Sequence, residues 1–154
     1  MFRGNSTTRV DDKGRLKIPA DFKRAIDEKY GNEQYGSKFY ITSTDGTIAL
    51  IYPLQEWIRI EDKIRAMTSM TSAVKKYVRN TSYYGQEVEI DGQGRLLLPG
   101  LLREKANLKG ELCVSGFINH LEVQVHDTRR AEVEGSPITP EEEAELGHHG
   151  LLGF

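Results

Sequence analysis

Cysteine is almost absent from the sequence. A single cysteine, Cys113, occurs among 154 residues, so a disulfide within the chain is excluded. Cys113 lies in the apolar segment ELCVSG, where we expect a buried and unreactive thiol. The four histidines do not combine with it at the spacing of a zinc site. The sequence therefore predicts neither a bound metal nor a cofactor.

Long apolar runs and catalytic motifs are also missing. No apolar segment approaches the roughly 20 residues needed to cross a bilayer, and the first residues, MFRGNSTTRV, lack the apolar core of a signal peptide. We therefore expect a cytoplasmic protein that does not contact membranes. No glycine-rich phosphate loop precedes a helix, and the adjacent Asp11 and Asp12 have no convincing nucleophile or base nearby. We do not expect an enzyme.

The charged residues are distributed unevenly along the chain. The net charge of −2 gives no overall attraction to a polyanion, but such a total can conceal a basic face. Residues 1–30 contain eight lysines and arginines and five acidic residues, whereas residues 127–154 contain seven acidic residues and two arginines. This asymmetry predicts a basic working end and an acidic tail.

A ten-residue phrase occurs twice in the chain, as VDDKGRLKIP at residues 10–19 and as IDGQGRLLLP at residues 90–99. Each copy follows a segment typical of a β-strand and precedes a helical pattern that begins at its proline. A hairpin pattern then follows each helix, with TDG as the first turn and FIN as the second, where Asn119 is suited to the left-handed conformation. Two further helical patterns, PLQEWIRIEDKIRAM and TSMTSAVKKYVRN, connect the halves.

These patterns divide the chain into four parts. We predict a first repeat at residues 1–53, linking helices at 54–80, a second repeat at 81–127 and an acidic, partly flexible tail at 128–154. Within the tail, Thr139 is positioned to cap a short helix over residues 141–146. We expect the last eight residues, which include Phe154, to be loosely held.

The repeated phrase is suited to a tight turn that presents an arginine. The aspartate can accept hydrogen bonds from backbone N–H groups ahead of it, and the glycine can adopt positive φ. Leu16 and Ile18 in the first copy, and Leu96 and Leu98 in the second, occupy alternate positions of a strand and should point into the core. The predicted turn-forming residues are Asp11, Gly14, Asp91 and Gly94, and the presented arginines are Arg15 and Arg95.

Two interpretations of these arginines are open. Each arginine can pair with the aspartate of its own turn, which contributes little to stability at an exposed site. Alternatively, the aspartate holds the turn and the arginine binds phosphate oxygens or a guanine edge. Lys13 and Lys17 add positive charge to the first turn, and Arg3 and Arg9 are further candidates for DNA binding. The first turn is therefore the stronger candidate, and the second is expected to be partly structural.

Four segments, in the order MFRG, DDKGRLKIPADF, YPLQEW and DGQGRLLLP, are spread over residues 1–127. Together they resemble the MraZ family of bacterial transcriptional regulators, which is associated with the division and cell-wall gene cluster. The resemblance implies a mainly β, α+β fold in which two AbrB-like swapped-hairpin units interleave into one pseudo-symmetric barrel with flanking helices. It also implies a ring-like homo-oligomer that binds double-stranded DNA at direct repeats in the promoter, in the nucleoid. The D-x-x-x-R elements of the family correspond to Asp11/Arg15 and Asp91/Arg95.

Other functional classes remain as alternatives to the predicted DNA-binding regulator. One is an oligomeric scaffold whose basic loops bind an acidic protein. Another is an antitoxin-like regulator with the acidic tail as its partner-binding extension.

The repeat itself is predicted to be a folding requirement first, because each half alone leaves strand edges unpaired. Trp57 is expected in the core or at a subunit interface.

Overall fold

The computed structural model describes residues 1–152, in which eight strands and six helices are present. The strands are β1 (Asn5–Arg9), β2 (Arg15–Lys17), β3 (Lys38–Thr42), β4 (Ala49–Pro53), β5 (Gln86–Glu89), β6 (Arg95–Leu97), β7 (Glu111–Phe117) and β8 (His120–Val125). The helices are α1 (Ala20–Tyr30), α2 (Leu54–Arg65), α3 (Ser72–Tyr83), α4 (Gly100–Lys105), α5 (His126–Glu134) and α6 (Pro140–His148). The predicted mixture of antiparallel sheet and helices is confirmed. No helix within residues 1–152 is long and apolar enough to cross a membrane.

Strands from the two repeats are interleaved in one antiparallel sheet. Its six strands lie in the order β1-β7-β8-β4-β3-β5, so β1 of the first repeat pairs with β7 of the second. On the other side of the sheet, β5 of the second repeat pairs with β3 of the first. The strands β2 and β6 form a separate two-stranded antiparallel ribbon. Each repeat therefore depends on the other for part of its backbone hydrogen bonds.

The expected closed barrel is not present among the described residues. The large sheet ends at β1 and β5, which do not pair with each other. The strands that follow these edge strands in sequence, β2 after β1 and β6 after β5, pair with one another instead. The architecture is an open sheet with an attached ribbon, and the predicted barrel closure is not found.

The main core lies beneath the ribbon and the sheet. Leu16 and Leu96 are directly opposite each other in the ribbon and both are fully buried, as their alternation with exposed neighbours predicts. Helix α1 contributes Phe22 and Ile26 to the same core, at the i, i+4 spacing of one helix face. Burial of each large apolar side chain contributes about 1.5–3 kcal/mol relative to exposure.

A second cluster forms around Trp57 beneath the linking helices. Its ring is buried, stacks on Tyr40 with 4.6 Å between ring centroids and contacts Tyr52 at 5.2 Å. Tyr77 of α3 adds a further ring at 6.3 Å. The prediction that Trp57 is a packing residue is confirmed, and Cys113 is buried as expected.

The prolines begin the helices that the sequence indicates. Pro19, Pro53 and Pro99 immediately precede α1, α2 and α4, with φ of −56°, −51° and −55°. These angles are close to the φ of about −65° that the pyrrolidine ring imposes. The φ angle of each of these residues is therefore already fixed before the helix forms. The predicted helix starts are confirmed.

The β7–β8 turn differs from its prediction. Ile118, not Asn119, adopts positive φ, at 60°. Ile118 forms a β-bridge with Phe2, in which the Phe2 N–H donates to the Ile118 carbonyl at 2.8 Å. This contact places the left-handed residue at position 118, one residue before the asparagine that the sequence favours. The long-range contact with the chain's first residues outweighs the local preference of asparagine.

The tail contains more regular structure than the sequence indicates. Helix α5 follows β8 directly, and all its residues are exposed or half-buried, so it lacks the apolar pattern that reveals a helix. Helix α6 begins with the predicted cap, because the Thr139 hydroxyl accepts from the Glu142 N–H at 3.2 Å and the Glu142 carboxylate accepts from the Thr139 N–H at 3.0 Å. Phe154, which we expected to be loosely held, lies outside the described residues.

Candidate nucleic-acid interface

The first turn is held by the carboxylate of Asp11. Its Oδ1 accepts hydrogen bonds from the backbone N–H groups of Lys13 and Arg15, both at 2.9 Å. Its Oδ2 accepts from Nε of Arg15 at 2.8 Å. Gly14 has a φ of 82° and donates its N–H to the Asp11 carbonyl at 3.0 Å. One side chain thus organises the loop and orients the arginine that leaves it.

The second turn repeats this hydrogen-bond pattern. Oδ1 of Asp91 accepts from the N–H groups of Gln93 and Arg95 at 2.9 Å, and its Oδ2 accepts from Nε of Arg95 at 3.0 Å. Gly94 has a φ of 76°. The two copies of the phrase therefore fold in the same way, and the first interpretation of the arginines, as partners of the turn aspartates, describes an interaction that is present.

These hydrogen bonds keep both aspartates charged. The hydrogen bond from the backbone N–H of Arg15 is the largest cause that lowers the pKa of Asp11, and desolvation acts in the opposite direction without reversing it. The N–H of Arg95 is likewise the main cause that lowers the pKa of Asp91. Each turn therefore contains a fixed ion pair at neutral pH.

The ribbon brings the two turns to one surface. In the antiparallel register, Arg15 is opposite Leu97 and Lys17 is opposite Arg95. Reciprocal backbone bonds join the turns, because the Ile18 N–H donates to the Gly94 carbonyl at 2.9 Å and the Leu98 N–H donates to the Gly14 carbonyl at 3.0 Å. The turns cannot move independently of one another.

One face of the ribbon is rich in arginine and lysine. Because side chains alternate along a strand and Leu16 and Leu96 point inward, the residues on either side of them point outward. The outward residues are Arg15, Lys17, Arg95 and Leu97. The side chains of Arg15 and Arg95 are 30% and 25% exposed. We call residues 10–17 and 90–97 together the paired-turn surface.

Arg95 connects the two turns through its side chain. Besides its bond to Asp91, Arg95 has Nη1 at 3.6 Å from Oδ2 of Asp11. The carboxylate of Asp11 thus faces both arginines. After these pairs are taken into account, the unpaired positive charge on the surface comes from the lysines.

Lys17 lies beside the second turn, not the first. Its ammonium group donates to the backbone carbonyl of Gln93. The reason is the strand direction: β2 leaves the first turn and runs antiparallel to β6, so its last residue reaches the base of the second turn. Lys17 therefore contacts the second turn and not, as expected, the first, while Lys13 remains at the first turn.

The remaining predicted residues lie at different distances from the paired-turn surface. Lys13 is exposed at the tip of the first turn. Arg9 is exposed at the end of β1 and its Nη2 lies 3.9 Å from a carboxylate oxygen of Glu111. Arg3 precedes the other end of β1, next to the bridge between Phe2 and Ile118. The structure therefore brings Lys13 and Arg9 toward the turns and separates Arg3 from them.

Comparison with known proteins identifies the family. A family model described as "MraZ protein, putative antitoxin-like" matches residues 1–80 and 85–127 of the chain. The matched segments contain both copies of the repeated phrase. The chain belongs to the MraZ family.

Relatives in the MraZ family align over almost the whole chain. A protein named Transcriptional regulator MraZ from Acidobacterium capsulatum is 52% identical over 151 residues, which are 98% of this chain and 100% of that relative. The Koribacter versatilis protein of the same name is 48% identical over 151 residues, with the same coverage of 98% and 100%. A third, from Moorella thermoacetica, is 38% identical over 123 residues, 80% of each chain. The first two alignments include most of the tail, which lies beyond the family model.

Proposed function

We propose that this MraZ-family chain is a sequence-specific DNA-binding transcriptional regulator. It binds direct repeats in the promoter of the division and cell-wall gene cluster, as a homo-oligomer in the cytoplasm and associated with the nucleoid. The names of its relatives support a role in transcription. The observation that carries the proposal is the paired-turn surface, in which Arg15, Lys17 and Arg95 project from one rigid ribbon.

The turns suit DNA because their arginines are oriented before binding. Arg15 uses Nε to bind Asp11, which leaves the donors of its two terminal nitrogens for a ligand. A guanidinium held in this way loses less conformational freedom when it binds a phosphate or a guanine edge. The two interpretations of the arginine are therefore compatible: the aspartate orients the side chain that reads the DNA. Lysines around the turns would contact phosphates and fix the register.

Several chains must act together for useful affinity. The net charge of −2 opposes association with DNA, and each chain offers only a few cations around its turns. Linked copies on successive repeats raise the effective concentration of each next contact and can strengthen binding by about 10²–10⁴-fold. A homo-oligomer that matches the spacing of the repeats supplies this linkage.

The linking helices are the proposed contact between copies. Met67 and Met70 follow α2 and are 45% and 43% exposed. An open apolar groove between α2 and α3 lies next to Met67 and is lined also by Ile64 and Val74. An exposed apolar surface of this kind is typical of a protein interface. Closure of such contacts around an axis gives the proposed ring.

The swapped-hairpin relationship of the repeats is part of this proposal. The pairing of β1 with β7 and of β3 with β5 supports it, since each repeat lends a strand to the hairpin of the other. The division into a first repeat (1–53), linking helices (54–80), second repeat (81–127) and tail (128–154) is proposed on the same basis. Both turns then occupy equivalent positions.

DNA binding and oligomer mass test the proposal together. A labelled fragment from upstream of the gene is titrated in an excess of unrelated competitor DNA, and the mass is measured by light scattering. We expect retention of the labelled fragment and a mass that is a multiple of 17.4 kDa. Equal binding of the upstream and unrelated fragments contradicts sequence-specific recognition, and a mass of one chain at micromolar concentration contradicts the oligomer.

Protein binding through the tail is a second candidate function. Helix α6 is exposed, has a complete capping box and carries three acidic residues in its first turn. Such a helix suits a basic protein partner, which is the antitoxin-like alternative. In that case, deletion of residues 135–154 abolishes partner binding, and upstream DNA is bound no more tightly than competitor.

A further inference from the structure

Arg103 of α4 covers the glycine of the first turn. A Cβ atom at position 14 would overlap the Arg103 guanidinium, so the group lies directly against the Gly14 backbone. Gly14 is flanked in sequence by Lys13 and Arg15. A cation from the second repeat is thus part of the first turn, although its position in the sequence, four residues after Pro99, gives no sign of this.

The second turn receives a cation in the reciprocal way. The Lys17 ammonium lies 3.5 Å from where a Cβ of Gly94 would be. The two cations do not occupy matching positions of the two repeats. The residue that matches Lys17 is Leu97, and the residue that matches Arg103 is Lys23, which pairs with Asp27 at 2.6 Å. Each turn therefore receives one cation from the opposite repeat, through residues that do not correspond in the repeated phrase.

Arg103 is not consumed by interactions within the protein. Among residues 1–152, its guanidinium has no hydrogen bond and no ion pair, in contrast to Arg15 and Arg95. It borders an open cavity of about 400 Å³ that is also lined by Asp11, Asp12, Glu104 and Lys109. None of these three carboxylates forms an ion pair with Arg103, and Asp11 instead pairs with Arg15 and Arg95. A half-buried guanidinium retains five N–H donors that water or a ligand must satisfy.

We propose that Arg103 is a DNA-contacting residue that binds a backbone phosphate beside the first turn. The proposal rests on the proposed DNA-binding function. Phosphate is the expected group because the Arg103 guanidinium lies against the backbone of the turn and is not oriented by an aspartate, as Arg15 is by Asp11. Together with Lys13 it places two cations around Arg15, just as Lys17 lies beside Arg95.

The salt dependence of DNA binding tests this role. Arg103→Ala, Arg103→Lys and the control Lys105→Ala, on the same helix but with its side chain near Gly46, are titrated with upstream DNA at several salt concentrations. Arg103→Ala should weaken binding and reduce the log–log salt slope by about 0.9 for each chain engaged. Arg103→Lys should keep the wild-type slope, and Lys105→Ala should leave both affinity and slope unchanged.

The outcomes separate the role of Arg103 from the function of the protein. An unchanged salt slope in Arg103→Ala overturns the phosphate contact, even where affinity falls because the turn has shifted. If Arg103→Ala does not fold, Arg103→Gln, which retains most of the packing without the charge, decides the same question. Failure of the wild-type chain to bind upstream DNA overturns the proposed function, and the contact with it.

Discussion

Replacement of the turn glycines by alanine measures how strongly the turns depend on positive φ. Gly94 has a φ of 76°, and the nearest atom to an added Cβ is the Lys17 ammonium at 3.5 Å, an ordinary contact. Gly94→Ala should therefore cost only the backbone term of about 1–2 kcal/mol for a left-handed alanine. With a urea m value of about 1–3 kcal/mol/M, the unfolding midpoint should fall by roughly 0.3–2 M.

Gly14→Ala should cost more, because it also displaces Arg103. Gly14 has a similar φ of 82°, but its added Cβ would overlap the guanidinium. The far end of a flexible side chain can rotate away, and an off-rotamer arrangement adds about 0.5–1.5 kcal/mol. Gly92→Ala is the matched control, since this residue lies in the second turn, with nothing within 4 Å of an added Cβ and no positive φ.

Urea unfolding at one fixed protein concentration distinguishes the contributions, because association shifts the apparent stability. The expected order of stability is wild type and Gly92→Ala together, then Gly94→Ala, then Gly14→Ala. Equal midpoints for Gly14→Ala and Gly94→Ala would show that Arg103 does not pack on the first turn. Wild-type stability in both variants would refute the requirement for positive φ.

Three further predictions follow from the turns and the tail. Arg15→Ala should abolish specific DNA binding while circular dichroism and size-exclusion elution stay unchanged; unfolding of the variant would instead assign the arginine a purely structural role. Because folding lowers the pKa of Asp11 and Asp91, their contribution to stability is complete above their usual pKa of about 4 and is lost as pH falls through the lowered values. The wild-type chain should therefore lose more stability between pH 7 and pH 3 than the Asp11→Asn, Asp91→Asn double variant, which urea midpoints at the two pH values will show. Deletion of residues 135–154 should strengthen nonspecific DNA binding or leave it unchanged, as measured with unrelated DNA, and weaker binding would contradict repulsion by the acidic tail.

Local features of the fold follow from the sequence, because they depend on neighbouring residues. Pro19 and Pro99 fix the backbone at the helix starts, and Leu16 and Leu96 alternate into the core. The repeated Asp and Gly residues produce two turns with the same hydrogen bonds. At Ile118, by contrast, a contact with Phe2 overrides the local preference, and no sequence pattern near the turn indicates it.

The parts of the candidate site that the sequence does not predict arise from pairing between the repeats. Comparison of the two phrases assigns Lys17 to the first turn, but the antiparallel ribbon carries it to the second. Arg103 lies outside the phrase altogether and reaches the first turn only because α4 packs beside it. The register of β2 against β6 places Lys17 opposite Arg95. Knowledge of that register would therefore have predicted that Lys17 lies beside the second turn.

Titration against DNA with one and with several promoter repeats tests the central claim most directly. Each phosphate that the protein neutralises contributes about −0.9 to the slope of log binding constant against log salt concentration. Simultaneous binding by several chains should therefore multiply the slope that is obtained with one repeat. We predict tighter binding and a steeper salt dependence for the DNA with several repeats. Equal affinity for the two DNAs, or a flat response to salt, would contradict multivalent binding through the paired-turn surface.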